Sequence, residues 1–157
     1  MVPPQTDKAQ IWVDGDALPR EVRAILVRAS ERRGVQIHFA ANRIPHGLSS
    51  RMITTYTVPV SDDAADDLIA ERCGPGDLVV TADIPLAARA IEKRALVLQP
   101  RGRYLDEESI AESLSYRDFS EQLRSAGIET GGPRPMAGKD VTAFANALDR
   151  WLTKAGY

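Results

Sequence analysis

A chain of 157 residues holds one ordinary domain around one hydrophobic core. Its 43% hydrophobic and 27% charged residues exclude a disordered polyelectrolyte, and no apolar run approaches the roughly 20 residues that cross a bilayer as a helix. Twenty basic residues against twenty-two acidic ones give a formal charge of −2, which excludes a wholly basic nucleic-acid coat. A single cysteine, Cys73, excludes an internal disulfide and a cysteine metal cage. The first residues lack the basic-then-apolar order of a secretory signal, so the cytoplasm is the expected compartment and no membrane partner is expected.

Residues 1–8 read as a polar, proline-bearing tail of a single domain spanning 1–157. Ile11, Trp12 and Val13 form a short apolar run that ends in Asp14-Gly15-Asp16, the pattern of a buried strand entering a turn. Pro19 suits the first turn of a helix over 19–33, where Val22, Ile25, Leu26 and Ala29 recur at helical spacing. Gly34 ends it, and 35–41 reads as a second strand. A polar loop over 42–50 leads to the β-branched stretch 53–60, which Pro59 restricts to a short or edge strand because it cannot donate to a central ladder. Ser61 reads as the cap of a helix over 62–73, which Gly74-Pro75-Gly76 breaks. Strands at 78–81 and 95–98 flank a short helix at 85–94. The remainder, 106–157, is helical, with a break expected near Ser115 and a last helix over 139–154. Alternating strands and helices with short connections predict an α/β, three-layer fold: a mainly parallel sheet flanked by helices, plus C-terminal helices.

Charge is uneven along this order. Between Ser61 and Arg72 lie Asp62, Asp63, Asp66, Asp67 and Glu71, whereas the loop 42–51 carries Arg43, His46 and Arg51 and no acid. Ligands of open parallel sheets bind beyond the carboxyl ends of the strands. Asp14 and Asp16 after the first strand, Asp83 after the third core strand, and Asp62 or Asp66 beside the crevice all fall there. Two carboxylates about 4 Å apart repel by roughly 4 kcal/mol at an effective dielectric near 20, so such a cluster needs protons or a cation. Without a cysteine cage and with two histidines, the fitting ion is hard and oxygen-ligated, Mg²⁺ or Mn²⁺. Blander roles exist for each acid: Asp14 can cap the following helix, Asp83 can cap the helix at Pro85, and acids in a first turn favour the helix dipole. Asp62 and Asp66 share one helix face and Asp63 and Asp67 another; the spacing leaves open which face looks inward.

The strings Ile11-Trp12-Val13-Asp14-Gly15-Asp16-Ala17, Val60-Ser61-Asp62-Asp63-Ala64-Ala65-Asp66 and Gly76-Asp77-Leu78-Val79-Val80-Thr81-Ala82-Asp83-Ile84-Pro85-Leu86-Ala87 together closely resemble the uncharacterised bacterial YaiI/YqxD family. The resemblance continues through Gly131-Gly132-Pro133-Arg134-Pro135 and Phe144-Ala145-Asn146-Ala147-Leu148-Asp149. It implies a PIN-like arrangement, in which acids after the first strand, in a middle helix and after the fourth strand hold divalent metal for phosphodiester hydrolysis. By position these are Asp14, Asp62 or Asp66, and Asp83, with Asp16 as a further acid. Many PIN nucleases carry another Asp where this chain has Pro85. The implied function is a metal-dependent nuclease acting on RNA or another nucleic acid.

Under that reading Asn42 orients a phosphate, Thr81 bonds Asp83 or a phosphate, and Arg43, Arg51, Arg101 and Arg103 offset the acidic centre for a polyanion. Tyr104 is a candidate for base stacking or, more simply, for core packing; Phe144, Leu148 and Trp151 form a core stripe. Two alternatives stand beside it. An inactive PIN-like module would bind nucleic acid or protein, with Pro85 as its signature. A haloacid-dehalogenase-like phosphatase would use Asp14 as nucleophile and Asp16 as acid/base, but it expects Thr or Val where Leu18 stands and a dedicated lysine, for which Lys93 is the central candidate.

Overall fold

Side chains alternate across each strand, and that alternation builds two cores, one on each face of the sheet. The computed structural model describes residues 8–48, 50–61, 63–129, 131 and 134–157. Six strands, β1 (Ile11–Asp14), β2 (Ile37–Ala41), β3 (Ile53–Thr57), β4 (Leu78–Val80), β5 (Leu96–Leu98) and β6 (Tyr104–Leu105), form one sheet in the order β3-β2-β1-β4-β5-β6. All pairings are parallel except β5 with β6. Five helices flank it: α1 (Arg20–Arg33), α2 (Ala64–Arg72), α3 (Ile84–Glu92), α4 (Glu107–Ser125) and α5 (Gly138–Lys154).

Ile11, Val13, Ile37, Phe39, Leu78, Val80 and Leu98 face α1 and α5, whose Val22, Leu26, Phe144, Leu148 and Trp151 complete that core. Trp12, Ala40, Val79 and Val97 face the opposite way, against Ile69 of α2, Leu86 of α3 and Ile110 of α4. A fully buried side chain of this size contributes roughly 1.5–3 kcal/mol. The result is three layers, helices over sheet over helices, as the alternation of elements predicts. β3 occupies one edge, which is where Pro59 required it.

Several local expectations need correction. α4 runs unbroken through Ser115, started by a capping box in which Asp106 accepts from the Ser109 amide at 2.8 Å and the Ser109 hydroxyl accepts from the Asp106 amide at 2.8 Å. α2 begins at Ala64 rather than at 62, so Ser61 does not cap it and Asp63 precedes its first turn. β6, a two-residue antiparallel strand, was not expected. Lys8, placed by sequence in the tail, donates to the Gly156 carbonyl at 2.7 Å and lies over the Tyr157 ring.

Candidate functional site

The strand order fixes where a site can form. β1 leads outward through β2 to β3, whereas β4 lies on its other side, so the chain switches direction between β1 and β4. A crevice opens at such a point beyond the carboxyl ends of the strands. Asp14 ends β1, and Thr81 follows β4 directly opposite it. The Thr81 hydroxyl donates to Asp14 Oδ2 at 2.9 Å and accepts from the Asp83 amide at 3.0 Å. One hydroxyl thus ties together the two strand ends that carry the acids.

Gly15 lets the turn after β1 sit this close to the sheet. A Cβ there would lie 2.2 Å from Phe39 Cε1, well inside contact distance, and the Gly15 amide donates to the Ala40 carbonyl at 2.8 Å. Pro19 precedes α1 with no side-chain cap, so Asp14 is released from the capping role considered for it. Asp83 does cap: its Oδ1 accepts from the Leu86 amide at 2.8 Å. It serves the helix start and the crevice together.

Asp66 is the helix acid that joins them. Ala65, Ile69 and Ala70 are the buried residues of α2, which leaves Asp66 half-buried and Asp67 exposed, paired with Arg89 of α3 at 2.8 Å. Burial pushes the Asp66 carboxyl up to about 7, with Asp83, Asp14 and Asp63 adding to the rise and Arg89 opposing it. Burial likewise raises Asp14 to about 6, against the pull of the Thr81 hydroxyl and with help from Asp83 and Asp16. These mutual effects place carboxylates from three separate segments within electrostatic range of one another. Asp62, the other helix acid expected here, lies outside the described residues.

Asp16 stands at the exposed rim, its carboxylate accepting from the Asn42 amide at 3.1 and 3.3 Å. That bond fixes the backbone of Asn42 and leaves its side chain on the surface. Arg43 and Arg51 are exposed, and no ion pair among the described residues engages them. Arg101 is differently employed. Its guanidinium bonds Asp140 at 3.2 Å and the Arg134 carbonyl, while Arg134 makes a two-pronged bond to Asp140 at 2.6 and 2.7 Å. The two guanidiniums and the Ala137 amide hold the Asp140 carboxyl well below the usual range. Tyr104 donates to the Ala147 carbonyl at 2.5 Å, a packing role. Phe144, Leu148 and Trp151 are buried as the stripe predicted.

Arg103 is exposed and lines a cleft of about 620 Å³ beside the acids, together with Ala82, Ile84, Gln99, Tyr116 and Arg117. The α4 members of this cleft escaped the sequence reading. An exposed Tyr116 and Phe119 on a helix that is otherwise mostly polar were the available signal.

His38 takes no part in the acidic centre. Burial pushes it down to about 4, its ring stacks on Trp12 at 3.9 Å, and Tyr56 and Gln10 bond its two nitrogens. Cys73 is buried and its thiol is pushed up, the opposite of an activated nucleophile.

The donor set can be compared with the expected ion. Among the described residues, no three His, Cys, Asp or Glu side chains stand together as a ready cage. Mg²⁺ keeps several waters and is commonly held by one or two carboxylates plus a substrate phosphate. Asp14, Asp66 and Asp83 supply only hard oxygen donors, and Asp14 and Asp66 are raised first by burial and then by their acidic neighbours, so a bound cation would favour their charged forms. The residues fit that looser kind of site.

A family model described as "Uncharacterized BCR, YaiI/YqxD family" matches residues 12–154. The chain belongs to the YaiI/YqxD family. It is 50% identical over 146 residues to a UPF0178 protein of Xanthomonas campestris pv. campestris (strain 8004), covering 93% of this chain and 91% of that protein. A UPF0178 protein of Saccharophagus degradans is 48% identical over 145 residues, covering 92% and 96% of the two chains. One from Cupriavidus pinatubonensis is 51% identical over 145 residues, covering 92% and 97%. No solved structure matches significantly. The YaiI/YqxD match spans Asp14, Asp16, Asp62, Asp66 and Asp83. No helix among the described residues is long and apolar enough to cross a membrane.

Proposed function

We propose that this YaiI/YqxD protein is a divalent-metal-dependent nuclease of the cytoplasm that hydrolyses phosphodiester bonds in RNA. The observation that carries the reading is the Thr81 hydroxyl, which joins Asp14 to the Asp83 backbone at the switch between β1 and β4, with Asp66 of α2 within electrostatic range of both acids. Asp14 and Asp83, with Asp66, would hold Mg²⁺ or Mn²⁺, which when bound supplies charge stabilisation at the scissile phosphate and an activated water. Thr81 keeps Asp14 and the Asp83 backbone in register. Arg20, Arg23 and Arg28 of α1 line a groove of about 280 Å³ with Gly47, which belongs to the loop that carries Arg43 and Arg51. Such cations let a polyanion approach a negative centre.

Purified protein should cleave single-stranded RNA in Mn²⁺ or Mg²⁺, lose cleavage in EDTA, and lose it in Asp14→Asn. Failure to cut single- or double-stranded RNA or DNA with either ion would overturn the reading. A binding module without activity is the second reading, and Pro85 in the first turn of α3 is its observation. It is favoured if the wild type binds RNA without cutting it. The phosphatase alternative is weakened by Lys93, which donates to the Glu71 carbonyl at 2.7 Å. It stands ten residues of chain past Asp83, about 15 Å along α3 at 1.5 Å per residue.

A further inference from the structure

A cleft lies not between the acids but beside them. Ala82 and Ile84, the neighbours of Asp83, form one wall, and Ser113, Tyr116 and Arg117 of α4 form the other. At about 620 Å³ it is in the size range of small-ligand sites. Its charged lining residues are Arg103, Arg117 and Arg124 against Glu112, a positive balance directly adjoining a negative centre.

α4 has an unusual surface for a helix of 19 residues. Only Ile110 and Ser120 are buried, while Tyr116 is 70% and Phe119 57% exposed. Of the two rings Tyr116 lines the cleft, and an apolar surface left in water at a cleft is a mark of a binding site. The positive lining favours an anionic occupant over an apolar helix or a second copy of the same face. Arg117 pairs with the Glu121 carboxylate at 3.3 Å, but both are about half exposed, and such surface pairs contribute little and exchange readily. Arg103 has no ion pair among the described residues.

We infer that this cleft is a subsite for a single-stranded nucleic acid, in which Tyr116 stacks on an unpaired base while Arg103 and Arg117 hold the flanking phosphates. The inference rests on the nuclease reading for the position of the scissile bond, next to Asp83, and on the cleft itself for binding. A ring on a helix face accepts a base of any identity but needs it out of the duplex. The site therefore selects strandedness rather than sequence.

The test is fluorescence anisotropy with a labelled ten-nucleotide single-stranded RNA in EDTA, where no cleavage occurs, using the full chain. Tyr116→Ala should weaken binding roughly 5- to 150-fold, the equivalent of about 1–3 kcal/mol per stacked base, and Tyr116→Trp should restore it. Arg103→Gln with Arg117→Gln should weaken binding and reduce the magnitude of the slope of log affinity against log salt by about 1.4, at roughly 0.7 per phosphate contact. The exposed pair Arg32→Gln with Arg150→Gln, on α1 and α5, serves as the charge control. A duplex of the same sequence should bind more weakly and be insensitive to Tyr116. All these side chains are exposed, so the variants should melt like the parent. The inference is overturned if Tyr116→Ala is silent, if the cleft and control arginine pairs behave alike, or if polyglutamate of equal charge competes as well as RNA. Cleavage that persists unchanged in the cleft variants overturns the subsite and leaves the nuclease standing. Cleft-dependent binding with no cleavage in Mn²⁺ does the reverse.

Discussion

Replacing Asp14 by Asn removes one negative charge but keeps an acceptor for the Thr81 hydroxyl, since an amide oxygen accepts the same bond. In the parent, burial raises the Asp14 carboxyl from 3.8 to about 6, with Thr81 opposing and Asp83 and Asp16 adding. The folded state then binds this proton more tightly than the unfolded state does. Stability consequently falls as pH rises from the unfolded value, 3.8, and the loss is complete above about 6. About two pH units at 1.36 kcal/mol each set an upper bound near 3 kcal/mol. Solvent at the mouth of the crevice screens part of this, leaving an expected ~1–2 kcal/mol. Asp14→Asn should be more stable than the parent by that amount at about pH 8 and nearly equal to it below about pH 4. In a domain of this size the gain is roughly 2–8 °C in Tm. Thermal melts at both pH values measure it, and Mn²⁺ should raise the Tm of the parent more than that of the variant. An Asn variant less stable than the parent at the higher pH, or an offset independent of pH, would refute the reasoning.

Two further substitutions examine the frame around the acids. Thr81→Val removes the hydroxyl that lowers Asp14 and pairs the Asp83 amide, so the Asp14 titration should move above 6 and stability should fall by about 1–3 kcal/mol. Carbon-detected NMR titration reads the first and urea denaturation the second; Thr81→Ser should behave as the parent, and an unmoved titration in the Val variant would show that the hydroxyl does not govern Asp14. Gly15→Ala drives a methyl into the Phe39 ring, where a Cβ would stand 2.2 Å from Cε1; the expected cost is about 1–3 kcal/mol. Phe39→Leu in that background should recover part of the loss, and an Ala variant as stable as the parent in urea would rule out the packing argument.

Much of the frame was readable from residue order because the signals were local. Ile11-Trp12-Val13 and Leu78-Val79-Val80 are short apolar runs closed by turn residues, and both became central strands with their acids at the carboxyl ends. The parallel sheet followed from the helices between them. What was not readable depended on partners distant in sequence. Tyr104 and Leu105 form a strand only because β5 offers an open edge. The expected break at Ser115 ignored that weak propensity inside a well-capped helix costs only tenths of a kcal/mol per residue. The inward face of α2 was decided by Ala65, Ile69 and Ala70, which pack with Trp12 and Val79 of strands distant in sequence. Arg117 and Tyr116 look like a solvated helix face until the β4–α3 turn and Gln99, just past β5, are set opposite them. Arg101 resembled a phosphate contact until Asp140, thirty-nine positions away, claimed it.

The bond between Thr81 and Asp14 joins residues 67 positions apart. Contacts across so long a loop form late, after the chain has met its entropic cost. Repulsion among the carboxylates is thus switched on near the end of folding, where a destabilising influence hastens escape from the native state more than it slows arrival. The site's charge should leave its mark on how long each molecule survives, so that half-life under a denaturing challenge, rather than refolding speed, registers whether the crevice holds protons, a cation or neither.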